Sequence, residues 1–409
     1  MYKAIKVCRV CKSPSLDPVL DLGVQNLTGV FPKKNEADPI ASPLNIIYCH
    51  ECKLVQLEHS VNPDFMYGDN YGYRSGLNES MKLHLKLKID VLAQKFNISK
   101  NSIILDIGSN DGTSCNYWLN YSNFVTGIDP TASKFSEYYD PRVTVIPNFF
   151  SSNNFLSKSK KADLITSIAM FYDLEDPVGF AKEIAEALSN DGIWYLEQSY
   201  LVSMIKLTSY DTICHEHLEY YSLTSLNIIM TLAGLKILDV SLNDTNGGSI
   251  TITVAKIQSK HEVNSEYIEW ILAKETNFFC DSRKNLIMFN DKVKLHRDEL
   301  KDLVFSLSLK SLIWGLGAST KGNTILQYCG FTSKEIANIV DVNPRKWGCE
   351  TPGSRIPIIS ENALKEYKVN YMLVLPWHFR KNLLSKAQDF FISGGKYIFP
   401  LPEIEIVSG

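Results

Sequence analysis

The 409 residues are 45% hydrophobic and 21% charged with 22 glycines and 16 prolines, which excludes a disordered, collagen-like or coiled-coil chain. Forty-two basic against 45 acidic side chains give a net charge of −3, so the basic field of a nucleic-acid binder is missing. No apolar run reaches the ~18 residues of a membrane span, and the N-terminus lacks a signal-peptide stretch. The expected setting is cytoplasmic, with neither a membrane nor a nucleic-acid partner. Nine cysteines, an odd number, fit a reducing compartment. At about 150 residues per domain, the length predicts two or three domains.

The first elements in chain order are two C-x-x-C pairs, Cys8/Cys11 and Cys49/Cys52. Two such pairs on tight turns can set four thiolates around Zn²⁺ and leave no open position, so the metal would be structural. The 37 residues between the pairs exceed the usual finger spacing, but closing a longer loop adds little entropy. Free buried thiols and a redox pair are the alternatives; the latter lacks its usual βα setting.

Ile103–Ile107 then reads as a buried parallel strand, followed by Gly108-Ser109-Asn110-Asp111-Gly112 and a helical stretch. Strands are also predicted at 124–129, ending on Asp129, and at 143–146, 163–168 and 192–197, with an amphipathic helix over 177–188. This alternation predicts a doubly wound parallel sheet. An acid ending the first strand repels a diphosphate but suits the ammonium group of S-adenosylmethionine (SAM), and Asp129 suits its ribose. The string Asp106-x-Gly108-x-Asn110-Asp111-Gly112 points to a class I methyltransferase. The predicted donor set is Asp106, Gly108, Ser109, Asn110, Gly112, Asp129 and Pro130, with Asn148 and Phe149 toward the adenine and Ala169 beside the cleft.

Between 209 and 221 lies Cys214-His215-Glu216-His217, flanked by Tyr220 and Tyr221. Two histidines alone make a weak metal site, and H-E-x-x-H is absent. A general base fits better, because histidine titrates near neutrality and a carboxylate can fix its tautomer. A purely structural pair is the other reading.

A helical connector is predicted over roughly 264–308, then strand, glycine turn and helix start at 311–322, with further strands ending at Asp341 and Pro376. Gly315-x-Gly317-Ala318-Ser319-x-Lys321-Gly322 has Thr320 where G-x-G-x-x-G needs its third glycine. It can bind a nicotinamide dinucleotide, hold a substrate phosphate through Ser319 and Lys321, or serve only as a turn. The first choice would make the chain an NAD(P)-dependent sugar-nucleotide oxidoreductase.

Taken in order, these motifs resemble the three-domain sugar C-methyltransferases, typified by the enzyme that C-methylates dTDP-linked tetronitrose precursors. The resemblance covers essentially the whole chain. It implies an α/β protein: a small zinc-binding domain (1–70), a class I SAM methyltransferase domain (71–256) and a Rossmann-like substrate domain (257–409), expected as a monomer. It also implies a nucleotide-linked 4-keto-deoxysugar substrate, deprotonated at C3 so that the enolate takes the methyl group. By motif position His217 is the base, Glu216 its support and His215 a neighbour, with Gly317, Ser319 and Lys321 on the substrate side. Two positions depart from the family: Cys214 replaces a tyrosine, and Phe171-Tyr172-Asp173 stands where a histidine is usual. Tyr172, Tyr220 or Tyr221 is expected to replace the lost donor, Cys214 and Tyr221 to face the substrate, and Tyr73, in 71–75, to reach the active site.

Overall fold

The computed structural model describes residues 2–66 and 73–409, so Tyr71 and Gly72 of the junction motif lie outside the described residues. Strands Leu16–Asn26, Ala41–Cys49 and Val55–Leu57 form an antiparallel meander tied off by the two cysteine turns. Its edge is extended by a strand from far along the chain. Glu219–Tyr220 pairs antiparallel with Gln56 and Val55, and Leu57 N–H donates to the Leu218 carbonyl at 2.8 Å.

Helix Glu79–Lys95 leads into a seven-stranded sheet. Strands Ile103–Ile107, Phe124–Ile128, Thr144–Ile146, Ala162–Ile168 and Leu188–Ser199 run parallel, as the sequence predicts, in the order 3-2-1-4-5 that only the structure supplies. The hairpin Leu235–Asn243/Ser249–Lys256, absent from the sequence reading, adds two antiparallel strands beyond the fifth. Ser249–Lys256 is buried on both faces, so it shows no two-residue alternation.

The connector consists of two helices, Ser265–Cys280 and Ser282–Ser308, broken at Asp281. They lead to a six-stranded sheet built on Ile313–Leu316, flanked by Ile339–Asp341 and Tyr371–Val374. Five of its strands are parallel, and Glu405–Val407 closes the edge antiparallel.

The N-terminal module keeps only a small cluster to itself, Leu27, Val61 and Met66, and shares the rest of its apolar surface. Leu44, Ile46 and Tyr48 join one cluster with Phe289 and Val293 of the long helix and with Trp314, whereas Cys8, Cys49 and Cys52 join the methyltransferase core around Trp194. So small a unit buries too little surface alone, and sharing both sides makes up the difference.

Candidate active site

The four cysteine sulfurs converge. All lie within 4.8 Å of one another, with Cys8–Cys52 and Cys11–Cys49 both at 3.4 Å. A tetrahedron with Zn–S of about 2.3 Å places sulfurs about 3.8 Å apart, so the donor set fits structural Zn²⁺. The two turns share one geometry: Lys12 N–H donates to the Cys8 carbonyl and Lys53 N–H to the Cys49 carbonyl, each at 3.0 Å. Lys12 and Lys53 both take left-handed backbone, φ 60° and 62°.

A cavity of about 220 Å³ opens at the carboxyl ends of the central strands. Its wall includes Tyr73, Asp106, Gly108, Ser109, Asn110, Asp129, Pro130, Asn148, Phe149 and Ala169. Gly112 is not in the wall: at φ 75° its missing Cβ faces the Tyr139 ring, so it serves packing. Asp106 accepts from Thr166 Oγ1 at 2.5 Å, and burial, with the Asp129 charge adding, raises its pKa to about 7. Asp129 accepts from Asn110 N–H, Thr131 N–H and Thr131 Oγ1, leaving about one of its four lone-pair positions for a hydroxyl. A carboxylate waiting for a cation, a ribose acceptor and an apolar side of Phe149, Phe150 and Leu174 suit SAM.

Sequence reasoning gave Asn110 to the donor, but its side chain and that of Asp111 hold the junction. Asn110 Nδ2 donates to the Tyr73 carbonyl and its Oδ1 accepts from Ser75 N–H. Asp111 Oδ2 accepts from Gly76 N–H at 3.0 Å and pairs with Arg74. Tyr73 is thereby pinned over the cavity. Glu197 and Gln198 also line the cavity and were missed. Glu197 is bound by His84 Nε2 at 2.5 Å and Lys88 at 3.1 Å; burial raises its pKa, but these contacts outweigh that and lower it. The Gln198 amide is buried with neither polar atom partnered among the described residues. No local motif marks these residues, since the partners lie over 100 positions away.

His217 is not among the residues that line this cavity; Asp173, next in sequence to its ring partner Tyr172, is. The His217 Nδ1 is 2.8 Å from the Thr212 carbonyl, which accepts the Nδ1 proton and leaves Nε2 with the lone pair. Its ring faces Tyr172 at 4.0 Å between centroids. Burial first, and the Lys321 charge with it, pushes its pKa down to about 3. The other motif members face elsewhere. His215 Nε2 meets the Ser42 carbonyl at 3.2 Å, in the contact with the N-terminal sheet. Glu216 accepts from Thr28 Oγ1 at 3.4 Å, so the Thr212 carbonyl, and not Glu216, orients His217. Cys214 and Tyr221 are fully buried, contrary to their expected substrate contact. Tyr221 stacks on Phe171 and donates to the Phe171 carbonyl, while burial holds the Cys214 thiol protonated. Tyr220 is likewise in the core; of the three tyrosines proposed as donors, Tyr172 alone meets His217.

The C-terminal glycine turn is filled by its own chain. Ala318 N–H donates to Asp341 at 2.7 Å, and a Cβ on Gly317 would meet Pro376 at 2.8 Å. A dinucleotide has neither the close approach nor that free donor, and this removes the basis of the oxidoreductase reading. Ser319 accepts from Gly322 N–H and caps helix Thr320–Cys329. Lys321 reaches the Asn246 carbonyl at 2.8 Å, and Asn246 lines the cavity. Trp377, missed in the sequence, packs on Gly247 and donates to Asp211 at 2.7 Å beneath the same corner.

Three family models match the chain: a zinc binding domain over 8–67, a methyltransferase domain over 77–240 and a C-methyltransferase C-terminal domain over 244–402. The C-methyltransferase NovU of Streptomyces niveus is 28% identical over 414 residues, covering 100% of this chain and 98% of that protein. Among solved structures, the plantazolicin methyltransferase BpumL with S-adenosylhomocysteine (SAH) gives TM-score 0.36 at 14% identity, over 44% of this chain and 86% of that one. An S-adenosylmethionine-dependent methyltransferase from Clostridium acetobutylicum gives 0.33 at 13%, over 43% and 92%. None of the helices among the described residues is long and apolar enough to cross a membrane. With a four-thiolate centre, a cavity that fits SAM and three family models matched in turn along its length, the chain has the make-up of a SAM-dependent C-methyltransferase with an N-terminal zinc-binding domain.

Proposed function

We propose that the acceptor is a nucleotide-linked 4-keto-deoxysugar, methylated at C3 through an enolate, in a cytoplasmic enzyme. The observation that carries this is the state of His217. Its Nδ1 proton is committed to the Thr212 carbonyl, which leaves the lone pair on Nε2 as the proton acceptor; burial keeps the ring neutral and also lowers its basicity. A C–H beside a ketone needs such a base and a partner for the charge that follows. Lys321, held by Asn246, is the cation placed to take the substrate's negative charge, and the Tyr172 face supports the imidazolium. Bound SAM supplies the methyl group. Asp106 and Asp129 hold its ammonium and ribose, Asn148 and Phe149 its adenine.

Mass spectrometry across a panel of 4-keto nucleotide sugars is expected to find a +14 Da product only with SAM present. His217→Ala should stop both this product and solvent deuterium uptake at the sugar carbon, while SAH binding stays unchanged. Full deuterium uptake by His217→Ala would remove His217 from the role of base.

A further inference from the structure

We infer that Arg9, carried inside the first cysteine turn, is a positioning residue that ties the zinc centre to the two chain segments presenting His217 and Tyr172. Arg9 lies between Cys8 and Cys11, so its backbone is fixed by the metal turn. Its side chain is 3% exposed. One end donates to the Leu57 carbonyl at 2.6 Å and to Ser60 Oγ at 2.8 Å, anchoring it to the N-terminal sheet. Nε faces two acids, Glu175 at 3.4 Å and Glu219 at 3.7 Å. Glu219 follows His217 by two residues, and Glu175 follows Tyr172 by three.

The arginine therefore touches both segments of the His217–Tyr172 contact, by a hydrogen bond to Glu175 and by charge alone to Glu219. The rest of the segment depends on the same module. Glu219–Tyr220 is a strand of the N-terminal sheet, His215 reaches the Ser42 carbonyl of that sheet, and Glu216 reaches Thr28 in the turn that follows its first strand. Leu218 N–H crosses to the Tyr172 carbonyl at 2.7 Å, which joins the two segments directly. A base works only when held within a fraction of an ångström, and here its support is a metal-fixed turn. The functional consequence rests on His217 being the base; the structural coupling does not.

Arg9→Gln in the full chain tests this by zinc content, SAH affinity and amide hydrogen exchange. Zinc content and SAH affinity are expected to hold within about twofold, while amides of 212–221 exchange at least about tenfold faster and those of 103–107 stay protected. For methyl transfer, kcat should fall about tenfold or more with acceptor KM changed less than about threefold. Glu175→Gln, at the partly exposed acid, should move both readouts the same way by less, and covers the case in which Arg9→Gln does not fold. Removing zinc from the wild type with a chelator should likewise raise exchange at 212–221 first. Unchanged exchange at 212–221 in a zinc-loaded variant, or a rise spread evenly over the chain, would overturn the coupling. Exchange requires no acceptor, so a failed acceptor panel leaves this test standing.

Discussion

One carbonyl and a buried setting decide the character of His217: Thr212 fixes which nitrogen holds the proton, and desolvation keeps the other bare. Asp106 shows the opposite outcome of the same force. Burial and the Asp129 charge raise its pKa to about 7, above the ~3.9 of an unfolded aspartate. Between those values the folded chain holds a proton that the unfolded chain has released, so unliganded stability falls as pH rises through that window. A ligand ammonium prefers the ionised carboxylate. SAH affinity is therefore expected to weaken about tenfold or more from pH 7.5 to 5.5, and Asp106→Asn to flatten that profile, as isothermal titration would read. At this scale the sequence was legible where chemistry is local: the acid ending strand one, the glycine at φ 75° beside it, the cysteine pairs. Glu216 was misread because adjacency in sequence says nothing of direction. Its neighbour Cys214 is already in the core, and its own carboxylate turns to Thr28.

Elements here are held by side chains from distant elements as much as by their own caps. Glu275 of helix Ser265–Cys280 accepts from Leu223 and Thr224 N–H, Thr224 Oγ1 and the Tyr200 hydroxyl, closing the N-terminus of helix Leu223–Leu232. That helix starts directly after the His217 segment. Glu275→Ala leaves four donors unpaired at a buried helix end and is expected to cost ~2–4 kcal/mol in urea unfolding; Glu275→Gln should retain part of it. Helix Thr320–Cys329 works similarly. Asn323 donates to the Thr28 carbonyl and Thr324 to the Ile213 carbonyl, so the helix bearing Lys321 also braces the histidine segment. The parallel strands were readable from apolar runs and turn residues; their order in the sheet was not. Nor was the hairpin at 235–256: Ser249–Lys256 is buried on both faces and loses the two-residue alternation by which a half-buried strand is read.

Across the whole molecule, three modules consecutive in sequence do not make three separate cores. The N-terminal sheet divides its apolar faces between its neighbours, and the Gln327 amide bridges it to the C-terminal helix by accepting from Asn26 N–H and donating to the Asn26 carbonyl. Gln327→Ala removes both bonds and should lower stability by ~1–2 kcal/mol, with one transition still seen by fluorescence and by circular dichroism. Two transitions would mean that the modules unfold independently. Motif order disclosed the modules because each carries its own local string. It could not disclose their joints, because pairs such as Arg9 with Glu219, or Asn26 with Gln327, are separated by hundreds of residues.

The strand Glu219–Tyr220 also orders events in time. During synthesis the four cysteines can close on a metal once residue 52 has emerged, long before residue 219 exists. Until then Val55–Leu57 presents an open sheet edge to other nascent chains, the geometry that invites edge-to-edge association. The last strand to arrive both covers that edge and brings His217 into place, so the nascent chain loses its exposed edge in the same step that gives it a positioned base.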